Sequence, residues 1–506
     1  MAILPYLQRM ELNTFLFLLV FLSFVFLLHK LRRGGGNGRL NSPPSPPKLP
    51  IIGNLHQLGK LPHRSLDALS KKYGPLMLLH FGQNKTLVVS SAEAAREIMK
   101  GHDIVFSNRP KMTAANIFLH GCADIAFSPY GEYWRQVRKI CVLELLSLRR
   151  VQSFQFIRDE EVADLVDKIR DACVTGDSVN ISDMLASISI NIISRCALGQ
   201  KSEGGKFGKL SRRMMEQFMG FSFGDTFPFL KWMDYLTGLV FELKSTLREV
   251  DAFLDQVIEE HRNLGNHEEE DDLSAKKDFV NILLQLEKNG TFDFQLSQEK
   301  IKAILLDMFV GGSDTTSTAT EWLMAELMKN GNVMSKVQEE VRRVVGKKLK
   351  VEADDIEQMN YLKCIIKETL RLHPPAPLLV PRETSTSVEL GGYYIPPKAT
   401  VLVNALAIQT DPEVWDKPQE FWPERFENNP LDFKGQDFQF IPFGGGRRGC
   451  PGITFGMASA EVVIANLFYW FNWKLPDGED LDMSEVYGLS VHKKIPLRLV
   501  PALYSP

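Results

Sequence analysis

The sequence predicts a single large domain that is mainly α-helical with a small β portion and that follows an N-terminal transmembrane helix. Helical spacing of apolar residues dominates from Ala92 onward, whereas the alternation of a small antiparallel sheet occurs over Leu76 to Val89. No internal linker of suitable composition divides the 506 residues. We therefore expect one body with a large core rather than several independent domains.

Composition excludes several classes of protein. The net charge is only −3, so nothing in the charge balance indicates a nucleic-acid partner. The six cysteines include no C-x-x-C pair, which argues against a disulfide scaffold and against a zinc site. These features predict a protein that faces a reducing, cytosolic compartment.

The N-terminal segment contains an almost wholly apolar run, Leu12 to Leu28. As a helix this run spans roughly 25 Å, slightly less than the ~30 Å hydrocarbon core of a bilayer. Lys30, Arg32 and Arg33 follow it without a small-residue cleavage motif, which favours an uncleaved anchor over the alternative, a secretory signal peptide. The basic residues after the helix predict that the following chain lies in the cytosol.

The predicted organisation has three parts. Residues 1–33 form the membrane anchor, residues 34–50 form a Gly- and Pro-rich hinge, and residues 51–506 form the catalytic domain. Within the hinge, Gly34 to Gly38 is a flexible tether and Pro43 to Pro50 is a stiff polyproline stretch.

The most informative motif is the run FGGGRRGCPG at residues 443–452. It places Cys450 in a glycine-rich, arginine-flanked turn before an apolar helix over Ile453 to Phe471, with Cys450 as the expected N-cap and Pro451 at the first helical position. Unpaired N–H groups at the helix start and the nearby arginines are expected to lower the pKa of the Cys450 thiol. Such a thiolate is suited to be an axial ligand of haem iron.

Two alternatives apply to this cysteine and its loop. A glycine-rich basic loop before a helix also suits a phosphate, although the Lys-Ser/Thr pair of a Walker loop is absent. A buried structural role is the other alternative, and it is the role we expect for the remaining cysteines. These are Cys122, Cys141, Cys173, Cys196 and Cys364.

A second motif interrupts the long apolar helix predicted over Ile301 to Asn330. Gly311 and Gly312 are adjacent inside it, and each costs about 1 kcal/mol relative to alanine. The Thr315 hydroxyl can bond back to the Gly311 carbonyl and open a notch in the helix, large enough for dioxygen and a water. A simple kink between two packed helices is the alternative.

Five residues of the cysteine run match, position by position, the haem-binding signature F-x-x-G-x-R-x-C-x-G of the cytochrome P450 family. They are Phe443, Gly446, Arg448, Cys450 and Gly452. Residues 311–315 are similar to the family's oxygen-activation motif, (A/G)-G-x-(D/E)-T, and the resemblance extends from about Pro43 to Pro501. Residues 227–234 resemble the membrane-bound plant enzymes of specialised metabolism.

The resemblance implies the cytochrome P450 fold, a haem b cofactor and a role for each matching residue. Cys450 would be the axial ligand, Asp314 would relay protons, and Thr315 would position the water that delivers them. The remaining cofactor-binding residues, four of them around the propionates, are Trp134, Arg138, Arg382, Arg448 and Phe443. The expected substrate-pocket residues are Phe118, Asp307, Val310, Gly311, Ala376 and Leu379. The structural triad, with a folding role only, is Glu368, Arg371 and Arg425.

The implied function is that of a membrane-bound plant monooxygenase of the A type. It would use O2 to oxidise a lipophilic secondary metabolite: a terpenoid, alkaloid, phenolic or aldoxime. No G-x-G-x-x-G follows a strand and no iron–sulfur cysteine cluster is present, so electrons would come from an NADPH–cytochrome reductase, with cytochrome b5 as a second candidate partner. The expected location is the endoplasmic reticulum membrane, single-pass in the bilayer, with the catalytic domain on the cytosolic face.

Two alternatives to this function remain. One is an isomerase or dehydratase of the same fold, for example an aldoxime dehydratase without net oxygen insertion. The other is a haem sensor or carrier, which would not need the notch. The chain also departs from the family's usual pattern at Leu406, Thr410 and Gly331, which places local packing or partner contacts in question rather than the iron chemistry.

Overall fold

The computed structural model describes residues 20–24, 41–201, 206–265, 277–290 and 295–505. Residues 20–24 are helical, and the rest of the predicted anchor run Leu12 to Leu28 and the tether Gly34 to Gly38 lie outside the described residues. Among the described residues, Ile181–Leu198 and Ile453–Trp470 are long and apolar enough to cross a membrane. Because 61 % of each apolar window is buried inside the fold, we assign both to the protein core.

Helices account for most of the described chain, as the sequence predicts. The first group, up to the long central helix, is α1 (Pro62–Tyr73), α2 (Ala92–Arg96), α3 (Thr113–Phe118), α4 (Glu132–Ile140), α5 (Leu148–Ser153), α6 (Gln155–Thr175), α7 (Ile181–Leu198), α8 (Lys206–Phe218), α9 (Phe223–Thr226), α10 (Met233–Leu236), α11 (Leu239–Gly265) and α12 (Phe279–Asn289). The second group is α13 (Gln298–Lys329), α14 (Gly331–Val345), α15 (Ala353–Glu357), α16 (Asn360–Leu372), α17 (Ala405–Gln409) and α18 (Ile453–Trp470).

The strands are short and form small separate sheets. They are β1 (Leu76–Phe81), β2 (Asn84–Val89), β3 (Val179–Asn180), β4 (Arg382–Glu383), β5 (Val388–Leu390), β6 (Tyr393–Ile395), β7 (Thr400–Val403), β8 (Phe471–Lys474), β9 (Glu485–Tyr487), β10 (Val491–Lys493) and β11 (Arg498–Leu503). The largest sheet has the order β1-β2-β7-β4. Strands β1 and β2 are antiparallel with Leu76 opposite Val89, which confirms the sheet predicted there. Strand β4 places Arg382 opposite Val401 at the sheet edge.

The core is built around α13, which packs along α7 and against α18. Gly312 marks the close approach to α7, since a Cβ atom built there would lie 3.0 Å from Cδ1 of Ile193. On the α18 side, a Cβ atom at Gly456 would lie 3.8 Å from Oγ1 of Thr316. The middle of α13 is therefore fixed between two helices, and this is the stretch that contains the predicted notch.

The polyproline stretch lies on the body of the protein. Pro43 is buried, and the amide of Leu78 in β1 donates to the carbonyl of Pro44 at 3.0 Å. The amide of Tyr394 in β6 donates to the carbonyl of Asn41 at 2.7 Å. Residues 41–50 are thus attached to the sheet region, and the division at residue 50 stays a prediction.

The positions that depart from the family pattern are accommodated locally. Gly331 is the first residue of α14, where a Cβ atom would contact nothing within 4 Å. Thr410 ends α17 with its hydroxyl donating to the carbonyl of Leu406 at 2.7 Å. Within the described chain, the hydrogen bonds of Gly331 and Thr410 are made to Ser335 and Leu406 and not to the cysteine loop.

The three residues of the predicted triad lie together at the end of α16. Glu368 and Arg371 are both 0 % exposed and form two parallel hydrogen bonds, Nε–Oε2 and Nη2–Oε1, each 2.8 Å long. Nε of Arg425 donates to Oε1 of Glu368 at 3.1 Å. Arg371 also donates to the carbonyls of Gln409 and Pro418, so the cluster joins α16 to the segment that precedes the cysteine loop.

The substitution Glu368→Gln tests the stabilising role of this cluster. It leaves two cationic side chains without their buried counter-charge, and we expect a loss of about 3–5 kcal/mol in the free energy of unfolding, measured by urea denaturation. The matched control is Asp67→Asn, which breaks the solvated Lys71–Asp67 pair and is expected to cost less than about 1 kcal/mol. Equal losses for the two variants would contradict a structural role for Glu368.

Candidate functional site

The cysteine loop is held in one conformation by its own backbone. The amide of Cys450 donates to the carbonyl of Phe443 at 3.0 Å, and the amide of Gly452 donates to Sγ of Cys450 at 3.3 Å. Gly446 has φ +66°, and a Cβ atom there would lie 2.3 Å from the carbonyl oxygen of Met99. Only glycine fits at this position, because the loop touches the backbone of a distant segment and adopts a left-handed conformation.

Two expectations for Cys450 were wrong. The N-cap of α18 is Gly452 rather than Cys450, so Pro451 precedes the helix. The pKa of the Cys450 thiol is raised rather than lowered, because the dense surroundings of the sulfur outweigh the Gly452 hydrogen bond and the charge of Arg138, although the residue itself is solvent-accessible. A bound metal cation would reverse this balance, since coordination itself deprotonates a thiol.

Three arginines bind backbone carbonyls in and around this loop. Arg448 donates to the carbonyls of Ser107 at 2.8 Å, Ile125 at 3.1 Å and Ser128 at 2.5 Å. Arg138 on α4 donates to the carbonyl of Gly449 at 2.6 Å. Arg382 on β4 donates to the carbonyl of Gly445 at 2.7 Å. The predicted propionate-facing arginines therefore do converge, and they position the loop at the same time.

The arginine cluster carries more positive charge than the protein neutralises nearby. Burial lowers the pKa of Arg382 to about 10 and, together with the charge of Arg382, that of Arg448 to about 9. Nη1 of Arg382 is buried without a hydrogen-bond partner, and its nearest carboxylate oxygen, on Asp103, is 3.5 Å away. A cluster of this kind fits a ligand that brings two carboxylates, as haem does.

A fourth arginine of this region, Arg109, is buried and was missed by the sequence analysis. Its Nη1 donates to the carbonyls of Val380 and Pro381, each at 2.7 Å, and its Nε donates to that of Ala126 at 2.8 Å. Burial and the neighbouring Arg448 lower its pKa well below the usual value. A lone arginine before a proline carries no spacing signal, so only the folded structure identifies it.

Two aromatic residues predicted to bind the cofactor lie beside this cluster. Trp134 is buried, its Nε1 donates to the carbonyl of Ile125 at 3.0 Å, and the Arg448 guanidinium lies 4.3 Å from its ring centroid. Phe443 is half-buried and packs edge-to-face on Phe433 with centroids 5.4 Å apart. Both rings therefore support the walls of the cysteine region.

The hydrogen bond predicted to form the notch is present in α13, which is a continuous helix over Gln298–Lys329. The Thr315 hydroxyl donates to the carbonyl of Gly311 at 2.7 Å, as the sequence predicted. Gly311 is exposed although it lies mid-helix, and a Cβ atom there would contact nothing within 4 Å. Thr316, one residue on, meets α18 at Gly456, so the notch lies close to the helix that begins beside Cys450.

Asp314 has a partner that the sequence analysis did not foresee. Its Oδ1 lies 3.1 Å from Nε2 of His492 on β10, and Nδ1 of the same imidazole lies 2.9 Å from Oγ1 of Thr318. Burial alone would raise the pKa of Asp314, but the hydrogen bond and charge of His492 lower it overall. Asp314 is therefore held as an anion next to Thr315.

Two of the predicted pocket residues, Phe118 and Asp307, make different kinds of contact. Phe118 is fully buried and stacks on Phe218 with centroids 6.4 Å apart. Asp307 accepts hydrogen bonds from the amides of Ile125 at 2.7 Å and Ala126 at 3.2 Å, and burial with the nearby Asp124 raises its pKa well above the usual value. Asp307 thus fixes the loop before α4.

The other pocket residues flank the notch and the cysteine loop. Val310 is half-buried beside the glycines of α13. Ala376 and Leu379 are half-buried on the loop before β4, where Leu379 has φ +52° and its Cδ1 lies 3.5 Å from the position of a Cβ atom at Gly444. This loop is the one that Arg109 holds, so a buried cation fixes one wall of the predicted pocket.

A thiol in a loop held by buried arginines, close to a notched helix, is the arrangement expected of a haem-thiolate protein. The sequence profile of the cytochrome P450 family matches residues 43–498. The phenylacetaldehyde oxime monooxygenase of Prunus mume is 57 % identical over 98 % of this chain and 96 % of its own length. The strychnine-11-hydroxylase of Strychnos nux-vomica is 48 % identical over 96 % of each chain. A solved zebrafish cytochrome P450 with abiraterone has a TM-score of 0.72 at 24 % identity, over 88 % of this chain and 100 % of that one.

The chain belongs to the cytochrome P450 family. It is a plant-type member of specialised metabolism with the cytochrome P450 fold and a haem-iron cofactor. Its enzyme class is cytochrome P450 monooxygenase, an oxidoreductase that uses O2, a lipophilic substrate and electrons from a reductase.

Proposed function

We propose that this chain inserts one oxygen atom into a lipophilic plant secondary metabolite, with electrons from NADPH–cytochrome reductase. The observation that carries the proposal is the pairing of a thiol loop with an intact notch, in which Thr315 donates to Gly311 and Asp314 is held as an anion beside it. A haem carrier would need the first of these features and not the second.

The chain's own residues would hold the cofactor as follows. Cys450 would bind the iron, and Arg138, Arg382 and Arg448 would neutralise the propionates that complete their charge balance. Trp134 and Phe443 would pack beside the ring. Haem, when bound, supplies the iron at which O2 is reduced and from which oxygen reaches the substrate.

The notch would control the supply of protons. The Thr315 hydroxyl, already oriented by the Gly311 carbonyl, would position a water on the open side of α13. Asp314, one residue earlier, would exchange protons with that water. Both groups lie on a rigid helix, so the geometry is set before the substrate binds.

An aldoxime that carries an aromatic ring is the first substrate to test. The relative at 57 % identity is named a phenylacetaldehyde oxime monooxygenase. Phe118, Val310, Ala376 and Leu379 would supply apolar contacts, whereas Gly311 would leave room for the group to be oxidised. Terpenoids, alkaloids and phenolics belong to the same proposed class of lipophilic substrates.

Aldoxime dehydration without net oxygen insertion is the second candidate. It uses the same haem and the same apolar pocket but no NADPH and no proton supply for oxygen activation. The intact Asp314–Thr315 pair favours the monooxygenase over this alternative, because a dehydratase would have no use for that proton supply.

The proposed location is the cytosolic face of the endoplasmic reticulum membrane. Exposed apolar side chains cluster on α9 to α11 and on the segment after the polyproline stretch; they are Phe229, Trp232, Leu236, Phe241 and Ile51. The β1–β2 turn joins the two segments, since Gly82 donates to the carbonyl of Ile52 at 3.2 Å and Gln83 donates to that of Thr226 at 3.1 Å. A bilayer would cover this surface beside the predicted anchor.

The reductase would bind a different surface, one that carries exposed positive charge. Helix α4 lies against the cysteine loop through Arg138, and Arg135, Lys139 and Arg149 are exposed on α4 and α5. An acidic reductase surface would be attracted to these cations, and cytochrome b5 would compete for the same face.

Turnover of a mixed library of aldoximes and other lipophilic metabolites tests the proposed reaction. We expect a product that is heavier by one oxygen atom and that requires both NADPH and the reductase, detected by mass spectrometry. Loss of water without NADPH consumption would instead establish the dehydratase. The control omits the reductase.

Thr315→Ala tests the proposed proton supply. We expect peroxide release per NADPH to rise and product per NADPH to fall by roughly 10²-fold, the lower end for loss of a positioned proton donor, while haem stays bound. Thr315→Ser keeps the hydroxyl and should retain most of the coupling. Unchanged coupling in Thr315→Ala would contradict the role assigned to this residue.

A further inference from the structure

The imidazole of His492 contacts two positions of α13 that lie one turn apart and on either side of Thr315. Nε2 faces Oδ1 of Asp314 at 3.1 Å, and Nδ1 faces the Thr318 hydroxyl at 2.9 Å. The hydroxyl can donate to a neutral imidazole or accept from a charged one. The same geometry therefore serves both protonation states, so the charge can change without a rearrangement of the backbone.

The two partners differ in their access to solvent. The His492 side chain is 34 % exposed, whereas that of Asp314 is 14 % exposed. Oδ2 of Asp314 is buried, and Ser490, which is also buried, acts on the same carboxylate as a hydrogen-bond donor beside His492. The imidazole is thus the more accessible of the two groups, and a water in the notch is the partner through which the buried carboxylate would exchange protons.

The charges around His492 favour its cationic form. Glu321, from the next turn of α13, is the second acid close enough to act on the imidazole. Lys493 and Lys494 follow it on the same chain segment, but the Lys493 ammonium binds the carbonyl of Asp482. Glu485, opposite Lys493 on β9, is occupied by His63 and Arg64. Burial alone would lower the pKa of His492, but Asp314 and Glu321 raise it above 6.5 overall.

We propose that His492 is a positioning residue that holds Asp314 as an anion when the imidazole is charged and that, when neutral, keeps its hydrogen bond but no longer its ion pair, so that Asp314 can exchange protons at the notch. This inference rests on the proton-supply role proposed above for Asp314 and Thr315. A histidine whose pKa is raised by a partner contributes its ion pair below its ordinary pKa, and that contribution is lost as pH rises through the raised pKa. The yield of product per NADPH should therefore rise with pH through this titration, until it equals that of a variant with an uncharged side chain at position 492.

An NMR titration of the full-length holoenzyme in its diamagnetic ferrous carbonyl form tests the link between the two groups without turnover. With ¹³C-labelled histidine, His492 is assigned by the loss of its signal in His492→Gln. We expect its titration midpoint to lie above 6.5 and to fall by about one unit in Asp314→Asn, since an opposite charge at this distance shifts a pKa by 1–3 units. An unchanged midpoint in Asp314→Asn would overturn the proposal.

Turnover then tests the consequence. His492→Arg keeps the charge at every pH, and His492→Gln removes it at every pH. We expect the product per NADPH of the wild type to match that of His492→Arg at low pH and that of His492→Gln at high pH. The product per NADPH of the two variants should differ by roughly tenfold, the factor that one pKa unit represents. Parallel pH profiles for all three proteins would overturn the proposal.

The matched control is His261→Gln. His261 on α11 lies 2.9 Å from Asp278, the N-cap of α12, in a comparable histidine–carboxylate pair that does not include Asp314. Its loss should lower stability and leave the pH profile of coupling unchanged. If Thr315→Ala fails to uncouple the enzyme, the proton-supply role falls while the NMR link between His492 and Asp314 stands. If only the His492 profiles are parallel, this inference alone falls.

Discussion

Burial of uncompensated positive charge around one thiol is the constraint on which the site depends. Arg138, Arg382 and Arg448 each donate some of their hydrogen bonds to backbone carbonyls. Arg138 and Arg382 bind carbonyls of the cysteine loop itself. Such cations are expensive to bury unless an anion completes the cluster. On the proposed assignment, the same side chains would both position Cys450 and bind a doubly acidic cofactor.

The long helix α13 combines rigidity with a local opening. It is fixed against α7 at Gly312 and against α18 at Thr316, while Gly311, immediately before the first of these contacts, remains open. The hydrogen bond from Thr315 to Gly311 stabilises this arrangement. A helix made only of good helix formers would be more stable and would have no space there, so the glycine pair exchanges stability for function.

Local motifs in the sequence predicted much of the site, because their partners lie within one or two turns. The Thr315–Gly311 bond, the Glu368–Arg371 pair and the turn around Cys450 are of this kind. The sequence analysis was wrong about the pKa of Cys450, since that value depends on how the whole fold surrounds the sulfur. It missed Arg109 and His492 because their partners are distant in sequence; Thr318 and His492 are separated by 174 positions. Periodicity and spacing carry no signal for such contacts.

The most direct measurement is the carbonyl difference spectrum of reduced Cys450→Ser, with Cys173→Ser as the matched cysteine control. If Cys450 is the sulfur that binds iron, the control retains the band typical of a thiolate ligand and Cys450→Ser loses it. A thiolate-type carbonyl band that persists in purified, haem-loaded Cys450→Ser would contradict the account.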